Sequence, residues 1–297
     1  MNGILNVLKP PGMTSFDVVA YLRGILKMKK IGHTGTLDPG AAGVLPVCAG
    51  KATKAIEYLT DKDKVYRAEL LLGISTDTQD SYGKVISEKE VKASCDEIER
   101  VMKSFEGDYS QLPPMYSAIK IDGKKLYELA RSGIEVERSP RNVKIHFIDI
   151  LSINGNRVVF DVGCSKGTYI RTLCSDIGDR LGCGGHMAFL VRMKAGSFDI
   201  KNALTLEQIK DMAREGTLEK NLTCIDRVFE DYDRICLNEK DKKRFLNGGF
   251  VGLEMRGKFT SAQKIRVYGQ DGAFLALGET VLDRTGQLNL KVDKLFV

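Results

Sequence analysis

Hydrophobic and polar positions along this chain repeat with two periods, and the switches between them mark the elements. Residues 4–8 form a short apolar run broken by Lys9-Pro10-Pro11-Gly12, which predicts a buried strand; residues 16–27 then take up helical spacing. Thr14 and Asp17 stand in capping-box positions at that helix start. Residues 51–59 read as a helix and 64–73 as a strand that ends in a turn at 76–80. Ser94 with Glu97 opens a helix to about Phe105. Residues 143–150 and 157–163 alternate as paired strands across Asn154-Gly155-Asn156, and 168–178 reads as a helix closed by Gly182. Thr205 with Gln208 starts another helix, and a linker around 227–234 leads to a tail. That tail predicts a short helix at 239–246, a Gly248-Gly249 turn and strands at 264–268 and 274–280.

One stretch fits neither period. Residues 32–50, G-H-T-G-T-L-D-P-G-A-A-G-V-L-P-V-C-A-G, hold five glycines and two prolines in nineteen positions, which predicts a loop able to turn sharply and approach another molecule closely. Its one carboxylate is Asp38. Pro39 pushes the residue before it out of the helical region and so restricts where that carboxylate points. Taken alone, Asp-Pro-Gly is an ordinary turn.

The longer pattern resembles the central motif of the TruB family of tRNA pseudouridine synthases, G-H-T-G-x-L-D-P-x-A-x-G-x-L-P. Three further segments resemble that family: D-K-x-Y-R through T-D-T at 63–78, G-T-Y-I-R at 167–171, and G-C-G-x-H-x-x-x-L-x-R at 182–192. The K-P-x-G-x-T-S string at 9–15 resembles its first motif, which braces the catalytic loop. The resemblance covers most of residues 3–215. It implies Asp38 as catalytic nucleophile and His33 in the loop that handles substrate. It also implies Tyr66 stacked on the target base, Arg171 paired with the aspartate, Tyr169 packed beside it, and Leu190 lining the base pocket. The implied fold is α+β: a pseudouridine synthase fold with a central mixed, mainly antiparallel sheet flanked by helices, plus a small C-terminal PUA-like β domain. The domains expected are 1–230, catalytic, and 235–297, PUA-like and RNA-binding. The implied reaction isomerises uridine to pseudouridine at position 55 in the T loop of tRNA, without cofactor or metal.

Composition changes this picture little. At 297 residues and 43% hydrophobic, the chain has ample core for one large domain and a small one. The net charge of +6 suits a polyanionic partner, and residues 235–297 carry eleven Lys or Arg against seven Asp or Glu. Residues 107–141 mix prolines, tyrosines and basic side chains. They resemble the insertion that stand-alone bacterial members use to grip tRNA, and an ordinary surface excursion with a solvated charged face fits the same residues. The tRNA T stem-loop is the expected partner, the protein a monomer needing no protein partner. The chain start lacks a basic leader before an apolar core, and no run of about eighteen apolar residues occurs, so no membrane contact and a cytoplasmic location are expected. Seven scattered cysteines without a C-x-x-C pair read as reduced, mostly buried small hydrophobes.

Rival chemistries find weaker footholds. Gly163-Cys164-Ser165-Lys166-Gly167 fits the G-x-S-x-G elbow of a serine hydrolase, but the only later histidine, His186, lies in a glycine cluster and the repeated βα pattern is missing. Cys183 and His186 make half a zinc site with no second pair nearby. Gly50-Lys51 lacks the rest of a phosphate-binding loop. A protein that binds or folds RNA without modifying it remains the alternative from another class.

Overall fold

The computed structural model describes residues 1–121, 123–253 and 259–297; Asp122 of the insertion-like segment and Arg256 and Lys258 of the basic tail lie outside the described residues. Strand β1 (Gly3–Lys9) runs into helix α1 (Ser15–Leu26), whose capping box is closed by Asp17 N–H donating to Thr14 Oγ1 at 3.0 Å and Thr14 N–H to Asp17 Oδ2 at 2.8 Å. There follow β2 (Ile31–His33), β3 (Ala42–Ala49), a 3-10 turn over Gly50–Ala55, α2 (Ile56–Thr60), β4 (Lys64–Leu72), β5 (Ile74–Thr76), β6 (Val85–Glu88) and α3 (Cys95–Lys103). The middle of the chain gives β7 (Gly107–Gln111), β8 (Lys120–Ile121), β9 (Lys124–Lys125), α4 (Leu126–Arg131), β10 (Arg141–Asn154), β11 (Arg157–Cys164), α5 (Ile170–Arg180), β12 (Gly185–Ala195) and β13 (Phe198–Asp199). Last come α6 (Leu206–Glu215), β14 (Asp233–Leu237), α7 (Glu239–Leu246), β15 (Val251–Gly252), β16 (Lys264–Gly269), β17 (Phe274–Leu282) and β18 (Leu288–Leu295).

Among the described residues the main sheet runs in the order β1-β3-β12-β4-β11-β10-β7, with β2 added to β3 and β13 to β12. Only β3 and β12 pair in parallel; every other pairing in this sheet is antiparallel. A second sheet, β14-β16-β17-β18-β15, forms the C-terminal unit. The fold is α+β, with a mixed, mainly antiparallel sheet, flanking helices and a small C-terminal β domain.

Of the strands that the residue pattern did not predict, two build the site. Residues 32–50, expected to be loop throughout, are loop only between β2 and β3. Val44, Leu45, Val47, Cys48 and Ala49 are fully buried in β3, which lies between β1 and β12. A strand buried on both faces is continuously apolar and shows no alternation, so its glycines and proline dominated the pattern. Residues 185–195 carried no element in the sequence reading, yet β12 is central and bonds both β3 and β4. The helix expected at 168–178 begins later, at Ile170, with Tyr169 as its N-cap. Residues 51–59 divide into the 3-10 turn and α2.

Core clusters tie the layers together. Leu37 and Ala41, flanking Asp38, belong to the same cluster as Leu70, Phe160, Ile170, Leu173 and Leu190, so the loop is packed onto the sheet. The segment read as a linker, 227–234, carries a packed residue: Phe229 is buried against Tyr58, Phe274 and Phe296, joining the two sheets through one core. Lys54 Nζ donates to the Leu295 carbonyl at 2.7 Å, and Lys294 pairs with Glu57. No helix among the described residues is long and apolar enough to cross a membrane.

Candidate active site

The loop between β2 and β3 hangs on side chains that donate to its backbone. Lys9, fully buried at the end of β1, donates from Nζ to the carbonyls of Ala41 at 2.7 Å, Pro10 at 2.9 Å and Pro39 at 3.3 Å. Ser15, at the start of α1, bonds both backbone groups of Leu37: its Oγ accepts from the N–H at 2.9 Å and lies 3.3 Å from the carbonyl. Gly12 N–H donates to the Pro39 carbonyl at 2.9 Å. From beneath, Arg192 of β12, 1% exposed, donates to the Val44 carbonyl at 2.7 Å and the Gly35 carbonyl at 3.2 Å. Unpartnered, these carbonyls would be costly to bury. The sequence string at 9–15 thus braces the loop directly.

Asp38 stands at the head of this loop with 41% of its side chain exposed, and Arg171, 7% exposed, comes up from the first turn of α5 to meet it. Arg171 Nε lies 3.0 Å from Asp38 Oδ2. The same guanidinium donates to the Tyr116 carbonyl at 3.0 Å and the Thr78 carbonyl at 3.3 Å, and lies 3.6 Å from Asp80 Oδ2. One cation therefore joins the aspartate loop, the 76–80 turn and the insertion-like segment. Burial lifts the Asp38 carboxyl above the ordinary aspartate value; Arg171 and Lys9 pull it down, Asp80 pushes it further up, and the net direction is upward. The arginine moderates the burial penalty without cancelling it. Lys9 is itself pushed down to about 8, by burial first and by Arg192, with Asp38 opposing.

Tyr66 on β4 and Leu190 on β12 pack in the cluster that contains Leu37. Burial pushes the Tyr66 hydroxyl up while the Arg192 charge pulls it down, and the Asp38 charge is felt there too. Tyr169 is half-buried just before α5, its peptide clamped by Gln111 through bonds of 2.8 and 2.9 Å. His33 sits on β2, where its buried Nδ1 has no partner; burial and Arg192 push its pKa down, so the ring is neutral near pH 7. Three contributors were not singled out in the sequence. Asp80 lay inside a recognised turn, and Lys9 and Arg192 stood inside the 9–15 and 182–192 motifs without a role of their own, because the carbonyls they hold are named by no residue pattern.

Ser165 Oγ accepts from Lys144 N–H at 2.8 Å, and His186 is bound to the Ile74 carbonyl at 2.8 Å, so they form no triad. No cluster of three metal-ligating side chains occurs among the described residues. Cys48 is a core thiol that burial pushes up to about 12.

Two family models match the chain: the N-terminal domain of TruB family pseudouridylate synthase at residues 23–170, and the tRNA pseudouridylate synthase B C-terminal domain at 171–235. Among solved structures, a chain of a Cbf5-Nop10-Gar1 complex is similar at 30% identity and a TM-score of 0.75, over 99% of this chain and 85% of that one. An aspartate loop braced on a mixed sheet, matched this way, defines the protein as a pseudouridylate synthase. The tRNA pseudouridine synthase B of Alkaliphilus oremlandii is 54% identical over 84% of this chain and 83% of that protein, and that of Clostridioides difficile 46% identical over the whole of both. The chain belongs to the TruB family.

Proposed function

We propose that this protein isomerises uridine to pseudouridine at position 55 in the T loop of tRNA, with Asp38 as nucleophile. The observation that carries the proposal is the 3.0 Å pairing of a half-open carboxylate with a buried arginine on a loop held by Lys9, Ser15 and Arg192. Such a carboxylate is reachable by substrate, and its pairing with Arg171 favours the charged form against the upward push of burial. Relatives named tRNA pseudouridine synthase B support tRNA as substrate.

The reaction breaks the bond between ribose C1′ and base N1, turns the base, and joins C1′ to C5, from which a proton leaves while N1 takes one up. Atoms and electrons balance within the nucleotide, so no cofactor is called for. Asp38 opens the sequence by adding either to the sugar or to the base. The uridine first leaves the stack, which costs a few kcal/mol, and Tyr66 offsets this by stacking, worth about 1–3 kcal/mol. Leu190 closes the apolar side of the base pocket, Tyr169 packs beside the ion pair, and His33 meets the substrate as a neutral ring. Residues 107–141 and the 235–297 domain hold the folded RNA loop by shape and charge. The protein works alone, as a stand-alone monomer in the cytoplasm.

Mapping pseudouridine in bulk tRNA lacking the modification, after incubation with this protein, tests the reading. A new pseudouridine confined to position 55 is expected; binding without modification would assign the chain to RNA folding instead.

A further inference from the structure

An aromatic ring beside the aspartate loop takes no part in the reaction as derived. Tyr82 is 78% exposed. Its ring nevertheless has a definite seat, because a Cβ added at Gly40 would come within 2.6 Å of the Tyr82 Cζ and hydroxyl oxygen. The ring edge therefore lies over the backbone of Gly40, two residues from Asp38. Gly40 has no positive φ, so its backbone would accept another residue, and the ring is what excludes one.

The turn that carries Tyr82 is braced. Asp80 Oδ1 accepts from Tyr82 N–H at 3.0 Å and from Thr78 Oγ1 at 2.6 Å, while Asp80 Oδ2 faces Arg171. Asp77 Oδ1 accepts from Lys84 N–H at 2.8 Å. Met187 N–H donates to the Gln79 carbonyl at 3.0 Å, and Ser81 Oγ lies 3.4 Å from the Ala188 carbonyl, fastening the turn to β12 beside Leu190. An exposed ring on so fixed a support loses little freedom on meeting a flat partner, which is what a stacking surface requires.

Resting on the activity proposed above, we propose that Tyr82, seated on Gly40, is a stacking platform for an unpaired RNA base next to the uridine that enters the cleft. When a nucleotide is everted its neighbour loses a stacking face, and an aromatic ring at the rim replaces it. Every base has such a face, so the platform selects an unpaired, splayed loop rather than a sequence, and the ring matters where the hydroxyl does not.

The test is binding of a T-arm stem-loop RNA to the Asp38→Asn protein, which holds substrate unreacted, with Tyr82, Tyr82→Phe or Tyr82→Ala. Tyr82→Phe is expected to bind as the parent does, and Tyr82→Ala on the order of ten-fold more weakly. Single abasic nucleotides are then placed in turn on either side of the target uridine. At one of them the parent loses affinity and Tyr82→Ala loses no more, because the stack is already gone. Gly40→Ala, which displaces the ring, reproduces the loss and adds nothing to Tyr82→Ala. Unchanged affinity in Tyr82→Ala, or the same loss on every abasic RNA, overturns the platform. Pseudouridine formation by the otherwise native protein is read separately: if it occurs without coupling between Tyr82 and any abasic site, the platform alone fails. If no pseudouridine forms, the activity fails while the binding cycle still decides the platform, and failure to bind the RNA overturns both.

Discussion

As the proposed nucleophile, Asp38 carries opposing demands: attack needs its charged form, and its surroundings disfavour charge. Because its pKa is raised, the acid limb of kcat/KM is expected above the ordinary aspartate range, activity falling as pH drops through that raised value. Asp80→Asn removes a like charge and moves the limb to lower pH; a pH–rate profile in which the variant's limb stays put or rises would contradict the electrostatic account. Lys9 sets the other side. With its value near 8, deprotonation leaves two N–H groups for three carbonyls, so activity is expected to decline as pH rises past about 8. The linkage to stability has the opposite sign. Between about 8 and the ordinary 10.5 the native state binds fewer protons than the unfolded chain, so this group adds stability as pH rises there. Activity profiles run beside thermal melts separate a loosened loop from an unfolding protein. Asp38 and Arg171, 133 residues apart, were legible only through the motifs around them. Lys9, Arg192 and Asp80 escaped as site residues because their partners are backbone carbonyls or another element's guanidinium.

At the scale of the element, β3 and β12 do the most to place the site and were the least legible. Amphipathic elements such as α1 and β4 announce themselves by period, and the caps at Thr14 and Thr205 mark helix starts from two side chains each. A strand with neighbours on both edges and both faces covered has no polar side to alternate with, and Gly43 and Pro46 hid it further. The glycine has a structural reason: at φ 112° it lies so close to the Arg192 backbone that a Cβ would meet the Arg192 amide nitrogen at 2.6 Å. Leu45→Ala on β3 is expected to cost about 2–5 kcal/mol in urea unfolding. Thr205→Ala, which removes the cap of α6, is expected to cost about 1 kcal/mol. Comparable losses from the two would contradict the central position given to β3.

For the whole molecule, the C-terminal sheet is built into the catalytic unit. Phe296, buried, packs on Phe229 at 5.6 Å and Phe274 at 5.3 Å, in a cluster that reaches Ile4 and Val44 of the main sheet. Phe296→Ala is expected to lower stability by about 3–5 kcal/mol and to shift one shared unfolding transition. Two separate transitions in calorimetry would show the units to be independent. The sequence marked the tail by its charge and short strands, but the aromatic core that joins it to the sheet draws on Tyr58, Phe229, Phe274 and Phe296. No local window contains them together.

The central claim is that Asp38 does the chemistry on RNA held by the rest of the molecule. Asp38→Asn and the native protein should be compared on tRNA carrying 5-tritiated uridine, measuring binding and tritium release together. Equal binding with release only from the native protein is the result predicted. Release by the variant at the native rate would contradict it.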